Sequence, residues 1–200
     1  MMSSLSTTTG GVAWRRYALL TAPALAVAGL MTVLVGQGAL AASFAISGKA
    51  FKLSADTLDG TGFASYTSID TSSDGTHHAV TPAGFATAQL KNLCQSVVSS
   101  TPFGPVTMKL TAGAADPVLA TNLIADFDNL QGDITFGTYA SGVDAAQLQG
   151  GATGPAGEWG QQAKTIHIDK LKQNTWATSA GTFTLKGLNI GVSFGTHECY

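Results

Sequence analysis

The chain predicts a mainly β domain of antiparallel strands, arranged as a twisted sheet, a sandwich or an irregular solenoid-like sheet, behind an N-terminal signal or transmembrane helix. Three observations carry this. Residues 1–41 have the layout of a membrane-targeting segment. The remainder holds short apolar runs that alternate with polar residues. Those runs are punctuated by Gly, Asn, Asp and Ser turns.

The targeting segment reads in order. A polar start leads to Arg15-Arg16, and Tyr17 to Val35 then runs for 19 residues without a charge. Gly36-Gln37-Gly38 breaks the run, and Ala39-Leu40-Ala41 supplies the small-x-small pattern that signal peptidase cuts after. As a helix, the run would span about 28 Å, close to the roughly 30 Å hydrocarbon core of a bilayer. Two outcomes are therefore open, cleavage after Ala41 or retention as an anchor. The arginine pair also admits a twin-arginine reading, although Trp14 and Ala18 depart from that pattern. Either way the expected location is outside the cytoplasm, secreted or on the outer face of the cell membrane. The membrane is a partner only if the segment stays.

Residues 43–200 form one domain by length, large enough to bury about two-thirds of its unfolded surface. Both arginines lie in the targeting segment, which leaves eight lysines against twelve carboxylates, a net −4. A surface that grips phosphates needs clustered Arg and Lys, so nucleic acid is not an expected partner. Two cysteines, Cys94 and Cys199, make an even pair in an oxidising compartment and predict a disulfide. It would tie the C-terminus to the middle of the domain and close a loop of about 100 residues, worth up to about 4–5 kcal/mol.

The strand signals follow along the chain. Val106-Thr-Met108-Lys-Leu110, Ile166-His-Ile168, Phe183-Thr-Leu185 and the run from Leu188 to Phe194 place apolar residues at every second position, which predicts one strand face in a core. A pattern apolar-x-apolar-x-x-Leu recurs at Leu53/Ala55/Leu58, Ala88/Leu90/Leu93, Ala125/Phe127/Leu130, Ile166/Ile168/Leu171 and Phe183/Leu185/Leu188. Its spacing is too irregular for a strict solenoid. Ala83 to Leu93 admits one short helix, against which Gly84 and the threonines argue. Asp74-Gly75 predicts a hairpin turn between strands. Gly142 to Gly160 is the longest irregular stretch, which makes it either functional or disordered. Trp159 at its end is either a plug for the core or the rim of a ligand cleft.

Catalytic signals are weak. Gly191-Val-Ser193-Phe-Gly195 matches the G-x-S-x-G of serine esterases, whose acid and base follow later in the chain. Here only five residues follow Gly195. In an extended strand Ser193 and His197 would sit about 13 Å apart, whereas a nucleophile and its base need about 3 Å. The other histidines are His77 and His78 in the expected turn and His167 on the face opposite Ile166 and Ile168. Asp126, Asp128 and Asp133 offer carboxylates near one strand, read as solvated turn acids rather than a calcium loop, which would need about six oxygens. The residues name no catalytic group, no metal site and no cofactor, and leave enzymatic activity open.

Nearly the whole chain resembles a family of small secreted actinomycete proteins. The stretches that carry the resemblance are Gln37-GALAASFAISG-Lys49, Phe51-KLSADTLDGTGFASY-Thr67, Leu90-KNLCQSVV-Ser99, Met108-KLTAG-Ala114, Gly160-QQA-Lys164, Thr175-WATSAGTF-Thr184 and His197-Glu-Cys-Tyr200. Many members of that family carry the label cholesterol esterase, and others are called proteins of unknown function. The resemblance therefore implies a lipid-ester hydrolase acting on sterol or fatty-acyl esters. The residues themselves favour a non-catalytic, lipid- or sterol-handling domain at the cell envelope, with a structural cell-surface protein as the third reading.

Overall fold

The computed structural model describes residues 47–200; the predicted targeting segment lies outside the described residues. Nine strands follow one another: β1 (Phe51–Tyr66), β2 (Ser68–Thr71), β3 (His77–Lys91), β4 (Leu93–Thr101), β5 (Gly104–Ala112), β6 (Val118–Asp144), β7 (Trp159–Ser179), β8 (Thr182–Thr184) and β9 (Asn189–Phe194). One 3₁₀ turn, Ala145–Gln147, interrupts them after β6. All pairings are antiparallel. The mainly β, antiparallel class read from the sequence holds. The short helix considered for Ala83 to Leu93 is instead most of β3 and the start of β4.

Hydrogen bonding runs from β1 to β3, β6 and β7 and back to β1, so the twisted sheet closes on itself. That barrel replaces the sandwich and solenoid alternatives. It also removes the free edges that four long strands would otherwise expose. From β1 a flap of three strands, β4–β5–β9, extends outward, while β2 and β8 pair with β3 and β6.

The recurring apolar-x-apolar-x-x-Leu pattern is the mark of this closure. On β1 the buried inner residues are Leu53, Ala55, Leu58, Gly60 and Phe63; on β7 they are Ala163, Ile166, Ile168 and Leu171. The steps alternate between two and three residues. A strict period of two would send every second group outward after each three-residue step. A kink at each such step restores the inward direction. Gly62 and Lys164 pass one another outside the ladder between β1 and β7, as do Lys164 and Thr138 between β7 and β6, and Ala86 and Asn122 between β3 and β6. Gly62, Asn122 and Thr138 have positive φ. A second row crosses at Asp56, Lys170 and Gly132, with Lys170 again at positive φ. Such irregularities bend a strand and increase its twist, which long strands need in order to close.

The core lies inside this ring, from Leu53 and Leu93 to Phe63, Phe85 and Ile166. The predicted hairpin turn is present: Gly75 has φ +84°, and the Ser72 N–H donates to the Thr76 carbonyl at 2.9 Å. Cys94 and Cys199 are bonded, with Cα atoms 5.9 Å apart. The C-terminal tail lies along β4 and β5. The Cys199 N–H donates to Ser96 Oγ at 3.0 Å, the His197 N–H to Thr107 Oγ1 at 3.1 Å, and Lys52 Nζ meets Glu198 Oε2 at 2.9 Å.

One expectation fails on β9. Its alternation predicts an apolar side in a core, yet Ile190, Val192 and Phe194 are exposed. The strand pairs only with β5, at the outer end of the sheet, where no other described element lies over that side.

Candidate functional site

The barrel interior is not completely filled. A cavity of about 270 Å³ remains between Leu58, Phe63, Phe85, Phe127, Leu130, Phe136, Ile166 and Ile168. Its wall is aromatic: Phe63 packs against Phe85 and Phe136, each with ring centroids 5.5 Å apart, and Tyr139 stacks on Phe136 at 4.7 Å. Ser65, Thr81, Gln161 and Gln173 are the polar members of the lining, and no charged residue contributes to it. Gln161 is held at both ends, donating to Ser65 Oγ at 2.9 Å and accepting from the Tyr139 hydroxyl at 2.8 Å. Gln173 donates to Thr175 Oγ1 at 2.8 Å.

Trp159 lines the cavity and is 46% exposed, so it is the rim rather than the plug. Ile134, also exposed, lines the cavity as well. The stretch before Trp159 is ordered by its own bonds. Asp144 accepts from the Ala146 and Gly157 N–H groups, and the Gly151 N–H donates to the Gly62 carbonyl at 2.8 Å. Leu148 and Ala145 pack on Ala64, Tyr66 and Val143 at the strand ends. Gly84 and Gly151 meet backbone to backbone, and a Cβ on either would strike the other's chain. This loop therefore covers one end of the barrel, which its small-residue composition permits.

A volume of about 270 Å³ is just below the roughly 300–1,000 Å³ typical of ligand pockets. An uncharged lining cannot compensate a buried charge, whose transfer from water is costly unless it is paired. The arrangement suits a small, uncharged, mostly apolar group. A polar end would lie at Gln161 and Ser65.

The other sequence candidates fall outside the cavity. Ser193 lies on β9 opposite Thr107 rather than on a strand-to-helix turn, and His197 Nε2 sits 3.1 Å from the Phe194 carbonyl. His77 Nδ1 lies 3.0 Å from Thr71 Oγ1 across the hairpin. His78 stacks on Trp176 with ring centroids 3.7 Å apart, and its Nε2 is 3.1 Å from Ser72 Oγ. That Ser–His contact has the wrong order for proton removal. The carboxylate, Asp74, accepts from Ser72 itself at 2.6 Å instead of orienting the far ring nitrogen of His78. Ser72 is buried, and its hydroxyl also lies 3.1 Å from the Thr76 carbonyl. Together these bonds fasten the turn, and they hold Asp74 down at a pKa of about 2. His167 stands on the outer face between Asp59 at 2.7 Å and Asp169 at 3.2 Å, and the Asp59 bond raises its pKa.

The three aspartates do not form a set, and they lie on β6 rather than in a turn. Asp133 pairs with Lys170 at 3.1 Å, and Asp128 accepts from Asn174 and from the Trp176 indole. Asp126 corrects the solvated-acid reading. Burial, and then the negative charge of Asp70, push its pKa up to about 6. Asp70 is raised by burial as well, and one of its oxygens is enclosed without a hydrogen-bond partner. Among the described residues no group of three His, Cys, Asp or Glu converges on a common point.

The cavity residues were not visible as a site in the sequence. Phe63 and Ser65, Phe136, and Gln161 come from three strands far apart in the chain, and only the two-then-three spacing signals that these strands share an interior. Compared with known proteins, residues 47–200 match the model of DUF6230, a family of unknown function. No curated protein and no solved structure matches the chain. The family's description names no activity, so the sterol-ester label implied by the resemblance gains nothing from the match. Since the match covers all the described residues, the chain belongs to this family of unknown function, DUF6230.

Proposed function

We propose that the domain binds one uncharged, largely apolar molecule, an acyl chain or a compact sterol-like ring system, as an exported lipid-handling protein of the cell envelope. The observation that carries this reading is the aromatic-walled cavity, with a half-exposed Trp159 at its rim and no charge in its lining. Export rests on the targeting segment at residues 1–41, and a disulfide between Cys94 and Cys199 is at home in the oxidising compartment that export would reach. Ester hydrolysis rests on the resemblance alone. It would need a nucleophile, its base and oxyanion donors around one point, and the Ser72–His78 contact lines no part of the cavity.

Native mass spectrometry of the purified protein, offered neutral acyl lipids, a free sterol and anionic lipids in turn, tests the binding reading. One neutral lipid or sterol per chain is the expected adduct. Binding of none, or of anionic lipids only, contradicts it. Hydrolysis of cholesteryl or nitrophenyl esters by the same preparation would favour the enzyme instead. Intact mass of the exported protein reports cleavage after Ala41.

A further inference from the structure

The β4–β5–β9 flap has two unlike faces. On one, Cys94 and Ser96 of β4 and Thr107 and Lys109 of β5 meet the C-terminal tail through the disulfide and four hydrogen bonds. On the other, the register aligns Val97, Met108 and Val192 in one row and sets Leu110 beside Ile190. Phe194 ends the same side of β9. Ile190 is 57% exposed, Val192 68% and Phe194 74%, and no charged residue occupies that face.

We propose that this face packs against the same face of a second copy of the chain, giving a two-fold dimer. Three arguments select that occupant. First, the exposed side chains of Met108, Ile190, Val192 and Phe194 present on the order of 500 Å². Two copies would then remove on the order of 1,000 Å² from water, the lower bound for a specific interface. Second, an isologous contact sets each face against itself. A charge-free face meets no like-charge penalty there, although the chain as a whole is net acidic. Third, pairing of two β9 edges alone would leave the apolar side chains in water, whereas face-to-face packing of sheets about 10 Å apart covers them. A membrane surface fits less well, because Lys109, on β5, points to the opposite face and no other lysine lies on β4, β5 or β9.

Sedimentation velocity of the full chain across the micromolar range tests this. The expected result is a reversible dimer. Val192→Lys and, separately, Phe194→Asp raise its dissociation constant by at least about tenfold. Asn189→Lys, on the opposite face of the same strand, leaves it unchanged. Circular dichroism and the intact disulfide report that each variant keeps its fold. A wild-type chain that stays monomeric throughout overturns the proposal, and so does one that instead floats with neutral vesicles. A Val192→Lys chain that dimerises like wild type also overturns it, since association then runs through another part of the molecule.

Discussion

The barrel and the flap are made of the same kind of strand, yet they bury their apolar residues differently. In β1, β3, β7 and the first half of β6 the inner residues come in steps of two and three, and they are enclosed. On β9 the apolar residues alternate without interruption and lie open to solvent, as does Met108 on β5, whereas Leu110 and Ala112 of β5 pack with the core. Uninterrupted alternation makes a regular ribbon with two distinct faces. The three-residue step marks a kink, and rows of kinks let long strands curl around a common interior. In this molecule the departure from ideal alternation locates the core.

That comparison is open to mutation. The largest effect belongs to the joint between the two regions. Reducing the Cys94–Cys199 bond, or replacing Cys94 with Ser, frees the tail from the flap and lowers stability by up to about 4–5 kcal/mol. Chemical denaturation with and without reductant measures the loss. Next, Ile168→Ala within the barrel costs about 2–5 kcal/mol, because the enclosed site cannot collapse to fill the space. Gly84→Ala costs about 1–3 kcal/mol by driving a methyl into the backbone of Gly151, and it loosens the loop that leads to Trp159. Tryptophan fluorescence of Trp159 would report the loosening. At concentrations low enough to keep the chain monomeric, Val192→Lys on the flap shifts stability by less than about 0.5 kcal/mol, as an exposed substitution should. Equal costs for Ile168→Ala and Val192→Lys would erase the distinction between the regions.

A pH experiment sharpens it further. The pKa of Asp126 is raised in the folded state from 3.8 to about 6. The folded chain therefore holds this proton more tightly than the unfolded chain does. The associated stability is complete below the ordinary carboxylate pKa and is lost as pH rises through about 6. Asp126→Asn should then stabilise the protein at pH 7 by about 1–2 kcal/mol, allowing for solvent screening. Thermal melts at pH 4 and pH 7 check the sign, since the gain should shrink at the lower pH.

Much of the fold was legible from residues and little of the site. Antiparallel strands, the Asp74-Gly75 turn and the cysteine pair each follow from local chemistry that neighbouring residues spell out. Closure of the sheet does not, because it depends on which strand pairs with which, and β1 meets β7 across about a hundred residues of chain. The repeated x-x step was visible as a pattern, but its meaning needed the pairing partners. Trp159 illustrates the limit: its place after a Gly-rich stretch allowed both plug and rim, and only its half-exposed position beside the cavity decides between them. Asp126 likewise looked like a solvated acid until Asp70 and Tyr66, distant in sequence, came to lie near it.

A paired titration tests most directly whether the cavity is a binding site. A fluorescent neutral acyl probe is titrated into wild type, Ala125→Phe and Val192→Lys. Ala125 lines the cavity, so a phenylalanine there occupies the space, while Val192 belongs to the exterior face. Saturable binding at one probe per chain is predicted for wild type and Val192→Lys, with loss of binding in a folded Ala125→Phe. Undiminished binding by Ala125→Phe, or no saturable binding by wild type, would contradict it.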